Sequence, residues 1–591
     1  MKKGDPAMSD KIQFVDQTIR DAQQSLWGNM MRTDMITPIA EKMDQIGYRN
    51  IATVGSQAFK VAVRNLGENP WERVRLLSGL LKNTPVRGSY QIGSLSSFDL
   101  STPREIIALW IKNSVANGMK SFWICDYQDD IEKFVYFAKI AKGLGAEVVT
   151  SLMYSRSPVH TLEHWTNKTR LIAGTKEFVD RIMIEDASGV ITPELTRELV
   201  RTVMANCDGI PLEFHGHCNS GMATQCYLEA MQEGVTTFHT AIAPMANGSS
   251  LPATETILKN ARYLGFSTDI NEDALAAVSD HFRRIARDEN LPTGSPVEYD
   301  LYHFEHQVPG GMISNLRRQL KEVGMEDRLD AILEEIMQVR KELGYPVMAT
   351  PFSQIVGVQA MENVVSGKRY EQITDEVIKY SLGLYGKLHA PVDEKVMERI
   401  NKLPRTDEFR GWTPENYLKS IEEFRNELGP DLDDGDLLLT ILIPGYKKEE
   451  LSKKSAAVRT PAAGPNLPAG QVNMVPTEFS VEVDGEQFNV KVSPLFSDGS
   501  GESNQDTNSA AQISSAPREI PEGAMISGIA GLVVSIKVKV GDKVEEDDDL
   551  AVIESMKMMR AYAAPHGGVV KEICVKENQT VNADDILMVV V

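Results

Sequence analysis

"RIMIEDASGVITPELTRELVRTVMANCDGIPLEFHGH", residues 181–217, decides how the chain is read. Two short apolar runs, RIMIED and PLEFHGH, flank an amphipathic stretch with helical spacing. Runs of this length and composition read as strands, and the segment between them reads as a helix. The same alternation extends from residue 12 to about residue 265, through IQFVDQTI, NIATVG, TPVRGSY, SFWICD, EVVTSLM and TTFHTA. Eight runs begin near residues 12, 50, 84, 121, 147, 181, 211 and 236. They predict an α/β fold, a (β/α)8 TIM barrel over residues 10–265. A doubly wound open sheet is the competing arrangement, and eight regular units in about 250 residues favour closure.

Downstream the pattern changes. EDALAAVSDHFRRIARDE and MEDRLDAILEEIMQVRKELG carry helical periodicity, which predicts a mostly helical second domain over residues 266–455. Residues 456–520 read as a Pro/Ala/Gly- and Ser-rich linker, with a small β-hairpin alternating around DGE near 477–493. Residues 521–591 form a last domain with an internal repeat. In it GLVVSIKVKVGDKVEEDDDL aligns with GVVKEICVKENQTVNADDIL, matching Gly531 to Gly568, Val533 to Val570, Val544 to Val581 and Leu550 to Leu587. Two similar β units imply a pseudo-twofold sandwich. Lys557, framed by methionines in ESMKMM, falls between the halves, where a hairpin tip is expected.

Composition narrows the class. With 62 Lys and Arg against 83 Asp and Glu, the 591-residue chain carries a formal charge of −21. Such a surface disfavours nucleic acid and anionic membranes as partners. No apolar run is long enough to span a bilayer, and MKKGDPAMSDK lacks the apolar core of a signal peptide. Five cysteines without a CxxC pair point to a reducing, cytoplasmic setting.

Active sites of such barrels lie at the C-terminal ends of the strands. The first strand ends in DQTIRDAQQS, offering Arg20, Asp21 and Gln24. The sixth ends in IEDASG, offering Glu185, and the seventh in HGH, offering His215 and His217. Histidines two apart on a strand share a side. With Asp21 they form a set of two imidazoles and one carboxylate, suited to a divalent metal such as Zn, Mn or Co. The plainer alternative is a pair of partly buried, hydrogen-bonded histidines.

The tail resembles the biotinyl carrier domain family, whose attachment motif is usually Ala-Met-Lys-Met; here Ser555 replaces the alanine. Residues 12–460 resemble the carboxyltransferase region of oxaloacetate decarboxylase alpha subunits and pyruvate carboxylases. DQTIRDAQQSLWGNMMRTDMITPIAEKMDQIGY, SPVHTLEHW, HGHCNSGMATQCYLEAMQEGV, HQVPGGMISNLRRQL and TPFSQIVGVQA carry that resemblance. It implies covalent biotin on Lys557 and a metal on Asp21, His215 and His217. It also implies substrate contacts from Arg20 and Gln24, and a proton-shuttling hydroxyl at Ser314, which on local sequence reads equally as a helix cap. The implied activity is biotin-dependent carboxyl transfer between carboxybiotin and an enolisable carbonyl substrate of the 2-oxo acid class.

The pocket departs from the family in places. A carbamylated lysine usual in the metal site is replaced by Glu185, which preserves anionic oxygen but shortens the reach by about 3–4 Å. Glu185 is thus a fourth ligand at shorter range, a ligand through water, or no ligand. An ungapped count puts Gln91 where the family has a carboxylate-clamping arginine; Arg87 lies about 13 Å down the strand. These changes predict an acceptor other than simply pyruvate or oxaloacetate, with a compensated, conventional site as the alternative. No ATP-binding motif is evident, which implies a separate biotin carboxylase subunit or membrane decarboxylase subunits. A biotin protein ligase and a homo-oligomer are also expected. The rival classes are a metal-dependent aldolase-like lyase and a catalytically impaired biotin-carrier or scaffold subunit.

Overall fold

The computed structural model describes residues 11–451 without 57, 94, 96–101, 311, 314–315, 317–319, 321–324 and 444, the segments 477–483 and 486–492, and residues 521–591 without 522, 528–530, 547, 556–557, 578 and 583–584. Eight parallel strands close into a barrel in chain order. They are β1 (Gln13–Asp16), β2 (Asn50–Gly55), β3 (Val86–Gln91), β4 (Ser121–Cys125), β5 (Glu147–Met153), β6 (Arg181–Asp186), β7 (Leu212–Gly216) and β8 (Thr237–Thr240). Pairing of Gln13 with Thr237 and Asp16 with Thr240 joins the first strand to the last, so the sheet is closed rather than open.

Alternation along each strand sorts the side chains. Outward residues such as Phe122, Ile184, Phe214 and Phe238 are buried in the layer between barrel and helices. Inward residues stack in tiers. Arg87, Glu147, Arg181 and Glu213 form a charged floor. Trp123, Cys125, Val149 and Met183 pack together above it.

Past the barrel the chain is helical. Helix Glu272–Asp288 packs into the barrel's own core through Leu275, Val278 and Phe282, as does helix Asp434–Leu442 through Leu437, Leu438 and Leu439. Between them, helices Leu329–Glu342, Phe352–Ser366 and Asp375–Ser381 build a second core around Ile336, Val356 and Val377. Among the described residues no helix is long and apolar enough to cross a membrane.

Two antiparallel strands, β9 (Thr477–Val483) and β10 (Glu486–Val492), pair as a hairpin. The C-terminal region has β11 (Ala524–Ile526), β12 (Gly531–Ile536), β13 (Lys543–Val544), β14 (Asp549–Ser555), β15 (Met558–Ala563), β16 (Gly568–Ile573), β17 (Thr580–Val581) and β18 (Ile586–Val590). They form two four-stranded sheets, ordered β11-β18-β16-β13 and β15-β14-β12-β17. The repeat accounts for this topology, since β12, β13 and β14 of one half correspond to β16, β17 and β18 of the other. Each half lends its shortest strand to the other's sheet, and Val533, Leu550, Val570 and Leu587 share the core between them.

Candidate functional site at the barrel mouth

β7 carries Glu213 and His215 on its inward face, and His217 follows directly beyond its end. The next inward position of β6 is Glu185, in register with His215. Asp21 comes from a π-type helical turn, Thr18–Ala22, that follows β1. That turn widens the chain path and brings the Asp21 carboxylate over the barrel axis.

The three donors converge. Asp21 lies 3.6 Å from His215 Nε2 and 3.5 Å from His217 Nε2, and the two Nε2 atoms are 3.2 Å apart. Among the described residues this is the one group of His, Cys, Asp and Glu whose donor atoms all fall within 4.8 Å of one another. His217 Nδ1 donates to the carbonyl of Ser249 at 2.7 Å, which leaves Nε2 with a free lone pair. Burial by itself would raise the Asp21 carboxyl, but the Arg20 guanidinium beside it opposes that and the group lies well below its ordinary value. Burial pushes His215 well below its ordinary value, against the pull of Asp21, so the imidazole is neutral. A carboxylate and two imidazoles converging through oxygen and Nε2 atoms are the donor chemistry a Zn-, Mn- or Co-type ion takes.

The loop after β6 braces this set. Asp186 accepts backbone N–H bonds from Val190 and Ile191, and its carbonyl accepts the N–H of His217 at 3.0 Å. Gly189 lies at φ +67°, where a Cβ would come within 2.6 Å of the His217 carbonyl. Glycine is therefore required at the one point where the loop passes the metal-side histidine.

A cavity of about 500 Å³ opens over the donors. Arg20 is the only Lys or Arg among its described lining residues, which include Gln24, Asn29, Asn65, Gln91, Tyr127 and Gln354. Arg20 stacks over Trp123, its guanidinium carbon 4.6 Å from the ring centroid, donates to Ser89 at 3.1 Å and pairs with Asp21. These contacts fix the fork in place before any ligand arrives. Ser89 and Trp123 were not evident from sequence; their inward phase on β3 and β4 is the signal that would have found them.

Glu185 lies at the mouth of β6, buried, and no hydrogen bond reaches its Oε2 among the described residues. It lines the cavity but stands outside the three-donor cluster. Burial raises its carboxyl to about 8, so without a cation beside it the group is protonated at neutral pH. Gln91 also lines the cavity and donates to the Thr350 carbonyl at 2.7 Å. Arg87 does not stand in for the missing arginine. It is 1% exposed in the barrel floor, bonded to Glu213, Glu147, Ser121 and Asn50. Ser314 lies outside the described residues, although Pro309, Gly310 and Met312 just before it line the cavity. Lys557 likewise lies outside them, between Ser555 and Met558, which pair across β14 and β15.

Comparison with known proteins agrees with this arrangement. Residues 11–281 match the family described as HMGL-like, 304–493 the conserved carboxylase domain, and 518–590 the family described as biotin-requiring enzyme. The chain is 35% identical over 552 residues to the B subunit of pyruvate carboxylase from Methanocaldococcus jannaschii, covering 93% of this chain and 94% of that one. It is 31% identical over 593 residues to the 2-oxoglutarate carboxylase large subunit of Hydrogenobacter thermophilus, covering 93% and 90%. The solved carboxyl transferase domain of Rhizobium etli pyruvate carboxylase, bound to pyruvate and biocytin, shares the fold with a TM-score of 0.67 at 19% identity, over 82% of this chain and 89% of that one. Barrel, helical region and carrier thus occur here in the order of those relatives, and the chain belongs to the biotin-dependent carboxyltransferases, enzymes that work with covalently held biotin and a divalent metal.

Proposed function

We propose that the chain carboxylates a 2-oxo acid with a single carboxylate, using Asp21, His215 and His217 as metal ligands and Lys557 as the biotin-bearing residue. The observation that carries this reading is that Arg20 is the one Lys or Arg among the described residues lining the cavity, held beside a three-donor cluster. One preorganised guanidinium matches one carboxylate. The rest of the wall offers neutral amides and hydroxyls, which suit the carbonyl and a small polar or apolar substituent. The names of the relatives support the 2-oxo acid class, and a single Lys or Arg among the described lining residues favours a monocarboxylate over a dicarboxylate.

Asp21, His215 and His217 would hold a divalent ion, which would supply Lewis-acid polarisation of the acceptor carbonyl. Around it, Arg20 holds the acceptor carboxylate and Gln24 reaches the polarised oxygen. Trp123, Tyr127 and Met312 keep water from the carbon that takes up the carboxyl group. Ser314 would pass the proton released from that carbon to the biotin nitrogen whose bond to the carboxyl group breaks in the transfer. Glu185, shorter in reach than a carbamylated lysine, faces the cavity as a non-ligand or contacts the ion through water.

The chain works with a separate biotin carboxylase subunit, a reading supported by relatives that are themselves named as single subunits of a carboxylase. A biotin protein ligase modifies it, and the setting is cytoplasmic. The test is a panel of 2-oxo acids incubated with purified biotinylated chain and a biotin carboxylase subunit. Turnover of monocarboxylic acceptors and none of dicarboxylic ones is expected; preferred turnover of 2-oxoglutarate would overturn the single-carboxylate reading. A scaffold subunit would retain its binding behaviour after loss of both His215 and His217, and an enzyme would lose turnover.

A further inference from the structure

The inward face of β7 bears Glu213, His215 and His217 in a line from barrel floor to mouth. The second member is a donor of the metal cluster, and the first is buried among arginines. A histidine from the neighbouring strand, His239 of β8, sits between them. His215 Nδ1 lies 3.1 Å from His239 Nδ1, and His239 Nε2 lies 2.8 Å from the Glu213 carboxylate. All three side chains are wholly buried.

Hydrogen-bond accounting assigns the protons. The Glu213 carboxylate pairs with the Arg87 guanidinium at 2.6 Å and with that of Arg181 at 2.7 Å. A carboxylate held between two guanidinium groups only accepts, so His239 carries its proton on Nε2. The His239 Nδ1 lone pair is then an acceptor, reached by the Gln17 side-chain amide at 2.8 Å and by His215. His215 must donate from Nδ1, which turns a bare Nε2 towards Asp21 and His217. We propose that His239 and Glu213 are positioning residues of the metal centre, forming a His215–His239–Glu213 relay anchored on Arg87 and Arg181. The relay fixes the His215 tautomer and ring orientation and makes its Nε2 a stronger donor, as the Ser249 carbonyl does for His217. It also gives the Arg87–Glu213 pair a role beyond stability: the two guanidinium groups hold the Glu213 carboxylate where it accepts from His239. This inference rests on the metal-centre reading above.

The test is metal affinity of the full-length chain, read by chelator competition, with the visible spectrum of the Co2+-loaded protein and the unfolding temperature of the metal-free protein alongside. In His239→Ala, affinity is expected to fall about 10- to 100-fold with a shifted Co2+ band, while metal-free unfolding moves little. Glu213→Gln keeps an acceptor for His239 Nε2–H but loses the charge, so a smaller loss with the same direction of band shift is expected; it also serves if the alanine variant does not fold. Unchanged affinity and an unchanged band in both variants would overturn the relay. So would a loss of affinity accompanied by an equal destabilisation of the metal-free protein without any spectral change. A wild-type chain that takes up no divalent metal would instead overturn the metal-centre reading itself, and the relay with it.

Discussion

The side-chain amide of Gln91, at the last position of β3, donates to the backbone carbonyl of Thr350 across 2.7 Å, tying the barrel mouth to the helical region. The position lines the cavity two residues beyond Ser89, the β3 partner of the Arg20 fork. Replacing it by arginine puts a second cation into the wall. Gln91→Arg is expected to raise kcat/KM for a dicarboxylic 2-oxo acid, relative to a monocarboxylic one, by about tenfold or more, the scale of one charge-assisted hydrogen bond. Competition between the two acceptors measures it.

Arg20 is stacked on Trp123 and bonded to Ser89, so its fork is rigid. A lysine keeps the charge and loses the planar fork. Arg20→Lys is expected to lower kcat/KM for the acceptor by about 10- to 100-fold, mostly through KM. Steady-state kinetics across acceptor concentration check the split.

The donor cluster predicts about one divalent ion per chain, as a three-ligand site with open positions holds it. Asp21→Asn and His217→Ala are each expected to abolish tight metal retention and carboxyl transfer together. Elemental analysis after gel filtration, set beside activity, is the check. Loss of activity with full metal occupancy would count against the assignment.

Biotin should depend on a single side chain. Lys557→Arg is expected to eliminate the biotin mass increment and avidin capture while leaving metal content and unfolding temperature unchanged. Intact-mass measurement of protein made together with a biotin protein ligase decides it.

Acid should loosen the junction between barrel and helical region. His389 lies 2.9 Å from His160, and burial depresses both, to about 4 and about 2, with Lys168 and His164 beside them and Asp129 opposing the shift of His389. In the unfolded chain these rings take up protons below about 6.5, and in the folded chain they do not. The unfolded state therefore binds more protons in that window, and stability present above pH 6.5 is lost as pH falls towards 4. The His389 share is about 3 kcal/mol. His389→Gln should flatten the fall of unfolding temperature between pH 7 and pH 4.5.

Much of this was legible locally. Strand phase, the His215–His217 spacing and the doubled C-terminal unit each depend on residues close in sequence, so a period of two, a period of 3.6 and a repeat reveal them. The expected strand starts near 50, 121, 147 and 181 coincide with Asn50, Ser121, Glu147 and Arg181. Placing active-site residues at the strand ends put Asp21 with the two histidines, and the resemblance matched the same three.

What sequence alone determined is the order of parts: an eight-stranded barrel, a helical region and a duplicated β carrier, with the residue types able to hold a metal and biotin. Which of those residues meet was decided by closure. Joining β1 to β8 places Gln17 against His239, 222 residues apart, and brings Asp21, on the turn after β1, to His215 and His217 at the end of β7. The same closure pulls Arg87 into the floor with Glu213 and leaves Gln91 at the mouth, as strand alternation and the cost of an unpaired buried guanidinium demand. Glu185 is the sharpest case: its letter left open a ligand, a ligand through water or no ligand, and in the fold it lines the cavity while Asp21, His215 and His217 form the three-donor group. Reach and register are three-dimensional quantities, and only the folded barrel supplies them.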